Sequence, residues 1–128
     1  MNTVRETFSK EERLCSVKTI ESLFSDGKVF YTSLFKVVWN ISTEEQPFPV
    51  RVGFSVTKRG FRLAVTRNLI KRRMREAYRK NKHLLYSHLS EKNLNISLFI
   101  ILRSDKVPDY KSTEKSIIEV ISKLINNL

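Results

Sequence analysis

Asn95 to Leu102 reads NISLFIIL, with large apolar side chains at six of its eight positions. A run of strand length that is apolar on both alternating faces has to be covered from both sides, so it belongs at the centre of a sheet. Helices must then supply the cover. Val29 to Ser42 has the alternation of a strand, with Phe35, Val37, Trp39 and Ile41 on one face and Leu34, Lys36, Val38 and Asn40 on the other. Val50 to Thr57 alternates Val50, Val52, Phe54 and Val56 in the same way, and the polar, proline-bearing segment 42–49 connects the two, which are expected to pair antiparallel.

Three stretches carry a helical period. Val17 to Ser25 places Val17, Ile20, Leu23 and Phe24 on a stripe and is closed by Asp26-Gly27, with Gly27 as a left-handed cap. A helix from about Leu63 buries Ile70, Met74, Ala77 and Leu84, flanked by Leu85; Tyr86 to Asn93 then reads as a loop or frayed turn. Ser104 to Lys111 is a loop around Pro108, and Ser112 caps a last helix with Ile117, Ile121, Leu124 and Leu128 on one stripe. Residues 1–16 form an extended arm anchored by Phe8 and Leu14. The order α, β, β, α, β, α predicts a single-domain α+β sandwich, a size that 128 residues suit.

Charge singles out one of these helices. Between Lys58 and Lys82 there are eleven basic residues and one acid, Glu76, which accounts for nearly all of the formal +11 of the chain. At about 100° per residue, Asn68, Lys71, Arg72, Arg75, Arg79 and Lys82 fall opposite the apolar stripe, so one face docks and the other carries a ladder of donors. Such a ladder repels itself until a polyanion neutralises it. The plain alternative is a solvated helix face, but solvated faces mix signs. Arginine also outnumbers lysine here, and its planar fork binds phosphate bidentately and stacks on bases. Nucleic acid is the favoured partner. Lys123, on the last helix, is expected to take no part.

Other chemistry is hard to build from this chain. The three glycines are scattered, which excludes glycine-rich phosphate loops. His83 and His88 fall on different helix faces, and with Cys15 the only cysteine neither a metal site nor an internal disulfide is expected. No nucleophile has an adjacent base. The charged N-terminus lacks the apolar core of a secretory signal, and no run of 18 apolar residues occurs, so the chain is expected to be cytoplasmic with no membrane partner.

The spacing RN-x-x-KR-x-x-RE, from Arg67-Asn68 through Lys71-Arg72 to Arg75-Glu76, preceded by Ala64-Val65, resembles the signature of the protein subunit of bacterial ribonuclease P. Arg13-Leu14, Phe24 with Gly27, Arg51-Val52-Gly53, Ser55-Val56 and Lys58-Arg59 match in the family's order, so the likeness spans nearly the whole chain. Two departures stand out. Leu69 replaces the second arginine of the family's core, with Arg62 and Arg73 near enough to compensate, and Arg62-Leu63 replaces a Gly-Asn pair in a loop one residue longer.

The resemblance implies a left-handed βαβ crossover, against the usual hand. It also implies a ribonucleoprotein endoribonuclease, in which a catalytic RNA subunit uses Mg²⁺, held by RNA and substrate, to cut the 5′ leader from precursor tRNA. The residues that match its RNA contacts are Lys58, Arg59, Arg67, Asn68, Lys71, Arg72 and Arg75; Arg62 and Arg79 extend the same surface. The leader cleft of the family maps to Ile20, Phe24, Lys36 and Val38. The competing reading is a non-catalytic RNA or DNA scaffold, such as a ribosomal protein, that uses the same helix.

Overall fold

The computed structural model describes residue 8 and residues 10–14, 17–43 and 45–128. Cys15 lies outside them. A turn of 3₁₀ helix (Lys10–Glu12) leads to α1 (Val17–Asp26), β1 (Lys28–Tyr31), β2 (Phe35–Ser42) and β3 (Val50–Ser55). Then come α2 (Ala64–Asn81), α3 (His83–Lys92), β4 (Asn95–Leu102) and α4 (Tyr110–Asn127).

The sheet runs β1-β2-β4-β3, with β4 antiparallel to β2 and parallel to β3. The apolar strand is therefore inside, as its sequence requires. The expected antiparallel pairing of Val29–Ser42 with Val50–Thr57 does not form, because β4 takes the inner position between them. A parallel β3–β4 pair needs a long crossover, and α2 with α3 provides it. On one face Phe35, Val37, Trp39, Val52, Ile96, Leu98 and Ile100 pack against Ile70, Met74 and Ala77 of α2, Leu85 and Leu89 of α3, and Ile117, Val120 and Leu124 of α4. The other face carries a smaller cluster, in which Leu23 of α1 meets Leu14 and Val38, with Ile20 and Phe99 beside them.

Several local expectations give way to tertiary contacts. The single strand over 29–42 is a hairpin, turning at Thr32 without glycine, proline or asparagine. Its turn is held from outside: Thr32 Oγ1 lies 2.8 Å from Ser116 Oγ on α4 and accepts from the Phe35 N–H at 3.2 Å. Residues 83–92 are a helix, not a loop. It buries Leu85, Tyr86 and Leu89 and ends at Asn93 in the left-handed region, φ 55°. A turn at Lys82 (φ −66°, ψ −21°) separates it from α2 and resets the helical phase, which leaves Leu84 60% exposed.

Other corrections are smaller. Gly27 is not left-handed; its need is space, since a Cβ there would stand 2.3 Å from the Leu23 carbonyl oxygen and 2.8 Å from Val38. Asp109, not Ser112, caps α4, accepting from the Ser112 N–H at 2.7 Å. Val17 is 69% exposed and drops out of the α1 stripe.

Lys82 is the largest departure. Assigned to the exposed ladder, it is 1% exposed, with its Nζ 2.5 Å from Glu12, itself 1% exposed. Tyr86 donates to the same Glu12 oxygen at 2.5 Å, and Tyr78 lies 3.4 Å from the Tyr86 hydroxyl. Removing one member of a buried pair strands the other charge, at a cost of about 3–5 kcal/mol. Lys82→Met is therefore expected to lower the unfolding free energy by about that amount, measured as a fall in the urea midpoint at unchanged slope. Lys115→Met, on the exposed side of α4, is expected to stay within about 0.5 kcal/mol of wild type.

Candidate nucleic-acid interface

α2 forms because 18 residues without glycine or proline present an apolar stripe to the core; Ile70, Met74, Ala77 and Tyr78 are buried. Its opposite side leaves Asn68, Arg72 and Arg75 exposed and Lys71 half-buried. The loop before it is pinned by Phe61, which is 9% exposed, and leaves Lys58, Arg59 and Arg62 in solvent. Arg67 is what ties loop to helix, since one of its terminal nitrogens donates to the carbonyls of Phe61 at 2.7 Å and Arg62 at 2.8 Å. Its structural role is to aim three cations alongside the helix.

Two other arginines are engaged elsewhere. Arg79 grips Glu76 with both sides of its fork, at 2.5 and 3.2 Å, and Lys80 stands 3.8 Å from the same carboxylate. The hydrogen bond from Arg79 holds the Glu76 carboxyl below the usual carboxylate range. The pair is thus complete at neutral pH and is lost only as pH falls through that lowered value. Arg73 donates to the Pro108 carbonyl at 2.8 Å, docking α2 to the loop before α4. It cannot stand in for an arginine at Leu69; Arg62, exposed in the loop, keeps its side chain in solvent.

The second half of the site is the sheet face that α1 only partly covers. Register places Arg51, Gly53 and Ser55 of β3 beside Ser97, Phe99 and Ile101 of β4, followed by Asn40, Val38 and Lys36 of β2. Phe24 remains 49% exposed and meets Phe99 edge to face, with centroids 5.3 Å apart, so it belongs to the cleft and not to the core. Val38 is 1% exposed beneath Leu23 and cannot touch a ligand. Ile20 is half-buried at the edge of that cluster, and Lys36 is half-buried one register step along. The structure therefore brings Ile20, Phe24 and Val38 together and leaves Lys36 at the rim.

Two hollows lie along this face. One, of about 360 Å³, lies between α1 and the sheet and is lined by Lys18, Thr19, Asn40, Arg51 and Ser97. The other, of about 210 Å³, is a notch where Phe8, Arg13 and Phe99 face Lys71 and Arg75 of α2. The basic helix and the sheet face thus share a rim. Phe99, Arg51 and Arg13 escaped the sequence reading of the cleft. A signal for Phe99 existed in Gly53, because a Cβ there would stand 2.7 Å from the Phe99 ring, and a glycine inside a strand often marks such a close approach.

Comparison with known proteins gives this geometry its context. The sequence profile of the Ribonuclease P family matches residues 8–125. The ribonuclease P protein component of Porphyromonas gingivalis is 35% identical over 120 residues, covering 94% of this chain and 88% of that one. Its counterpart from Chlorobaculum tepidum is 31% identical over 117 residues, covering 84% and 76%. A solved structure of the Staphylococcus aureus RNase P protein has a TM-score of 0.70 at 25% identity, covering 90% of this chain and 95% of that one. That of the Thermotoga maritima protein also scores 0.70, at 20% identity with 88% and 96% covered, a likeness of fold.

The geometry ranks the cations of α2. For binding to a structured RNA, each phosphate contact contributes roughly 0.7 to 0.9 to the slope of log affinity against log salt. Arg72→Ala and Arg75→Ala are each expected to flatten that slope by about this amount and to weaken binding. Arg79→Ala is expected to do less, its charge being matched by Glu76, and Lys115→Ala nothing. Lys123 is no longer a suitable control, because it donates to the Tyr31 carbonyl at 2.8 Å. Equal slopes for all four substitutions would contradict the ranking.

Proposed function

The chain belongs to the ribonuclease P protein family, and from that premise we propose that it is the protein component of the ribonucleoprotein that removes the 5′ leader of precursor tRNA. The basic side of α2 and the loop at Lys58, Arg59 and Arg62 bind the catalytic RNA subunit. The cleft at Phe24 and Phe99 takes the single-stranded leader. The observation that carries this reading is the shared rim, where Lys71 and Arg75 face both the helix side and the notch beside Phe99. One polyanion path runs from duplex-like RNA on α2 to unpaired RNA on the sheet.

In this reading the protein is not the chemist. Its interface offers ammonium and guanidinium groups, which screen phosphate repulsion and hold substrate near the reacting RNA but supply no base. Mg²⁺ demands anionic or neutral oxygen ligands in near-octahedral array. Neither hollow offers a carboxylate and each carries cations, which supports assigning Mg²⁺ to the RNA and the substrate phosphates. No described helix is long and apolar enough to cross a membrane, and the cytoplasm, where precursor tRNA is made, is the proposed location. The family relatives support this reading over a non-catalytic scaffold.

Reconstitution tests it. The purified protein is expected to leave precursor tRNA intact with or without Mg²⁺, and the protein with its cognate RNA is expected to cleave at a low Mg²⁺ concentration where neither part does alone. Cleavage by the RNA-free protein would overturn the assignment. Lys36, on the cleft rim, provides a finer test. Lys36→Ala is expected to weaken precursor tRNA binding by roughly 1 kcal/mol or somewhat more, the net worth of a hydrogen bond at a half-buried position. Mature tRNA binding is expected to stay unchanged, so the ratio of the two affinities in the assembled particle is the measurement. An unchanged ratio would place Lys36 outside the leader path.

A further inference from the structure

The open sheet face does not stop at Phe99. Tyr31 of β1 pairs with Lys36, which pairs in turn with Ile101, so the Tyr31 side chain shares the face of Phe99, two strands over and two residues along. From a strand spacing of about 4.8 Å and a rise of about 3.4 Å per residue, the two positions lie roughly 12 Å apart. Tyr31 is 50% exposed, an unusual place for a large ring on a short edge strand. It is not left loose. The Arg103 guanidinium stands 4.6 Å from its ring centroid.

The backbone on both sides of this pair is fixed. Lys123 holds the Tyr31 carbonyl at 2.8 Å, and the Thr32 turn is tied to Ser116 at 2.8 Å. Arg103 is tied in turn, its N–H donating to the Leu34 carbonyl at 2.7 Å. A rigid, half-exposed ring backed by a guanidinium and flanked by a lysine at the next register position is the arrangement that holds an unpaired base: stacking on the ring, with cations for the adjoining phosphates. We infer that Tyr31 and Arg103 form a second base-stacking platform, which takes a base of single-stranded RNA one or two nucleotides beyond the Phe24–Phe99 pair.

The inference rests on the reading of this face as a path for unpaired RNA, and its test uses a bare oligonucleotide so that the two can fail separately. Affinity of the purified protein is measured for a fluorescein-labelled uridine decamer and for a decamer of the same backbone lacking bases. Tyr31→Ala is expected to weaken binding of the uridine decamer about fivefold or more, the lower end of what stacking one base contributes, and to leave the abasic decamer unchanged. Tyr31→Phe, which keeps the ring, is expected to bind both as wild type does. Equal loss on both decamers would mean a structural or purely electrostatic role, and no loss on either would mean that the ring faces solvent alone. Either result overturns the platform, as would a Tyr31→Phe variant as weak as Tyr31→Ala. Assembly with the catalytic RNA is read by reconstitution, and its failure would leave these affinities standing.

Discussion

A lysine ammonium cannot stay charged inside a protein without a partner, and the position of Lys82 depends on that constraint. Its partner, Glu12, comes from 70 residues earlier in the chain, and Tyr86 adds a second donor to the same oxygen. Burial pushes the Tyr78 and Tyr86 phenols above their ordinary value, so both remain donors throughout the physiological range. Against a well-packed apolar replacement such a network contributes little net stability. What it fixes is position. Glu12 is drawn to the α2–α3 junction, the Leu14 N–H then donates to the Val52 carbonyl along the edge of β3, and α1, from Val17, lies across the open face of the sheet. Both halves of the interface are referred to one buried ion pair.

That arrangement divides the basic residues by role. A run of like charges has to be aimed as well as carried, and several members do the aiming: Lys82 anchors the arm, Arg73 docks α2 to the Pro108 carbonyl, and Arg67 ties down the preceding loop. Arg79 is matched by Glu76. The cations left toward solvent are those of the loop with Lys71, Arg72 and Arg75. A substitution that merely counts charge would treat these groups as equivalent, although their effects on fold and on binding are opposite in kind.

Much of this was legible in the sequence, and the failures share a cause. The central place of β4, the apolar stripe through Ile70, Met74 and Ala77, and the α4 stripe all follow from periodicity, because burial there is decided by neighbours on the same element. The hairpin at Thr32 was not legible, since its turn is stabilised by Ser116, 84 residues away. Lys82 misled for the same reason: helical phase marks it as exposed, and only a carboxylate from the arm makes its burial tolerable. For the open sheet face the sequence offers one strand and one helix, which bring in Phe24 and Lys36, whereas Phe99 arrives from β4, outside both. Val38 was assigned to the cleft because alternation gives the face of a side chain but not what covers it.

The partial cover by α1 then explains why one sheet face can serve as a binding surface at all. A fully covered face is core, and a bare one would expose an apolar patch that invites association. Here α1 shields Val38 through Leu23 and leaves Phe24 and Phe99 at its edge, while Arg51, Lys36 and Arg103 interrupt what apolar surface remains. The same cations that keep this face from attracting another protein make it attractive to a phosphate backbone, whose bases can then reach the rings between them. Gly53 completes the arrangement by letting the Phe99 ring approach β3 more closely than any Cβ would allow. On the proposed reading, a preference for unpaired RNA would follow from this surface: a splayed base can reach the exposed Phe24 ring beside Phe99, whereas a duplex keeps its bases stacked inside and offers the face only phosphates.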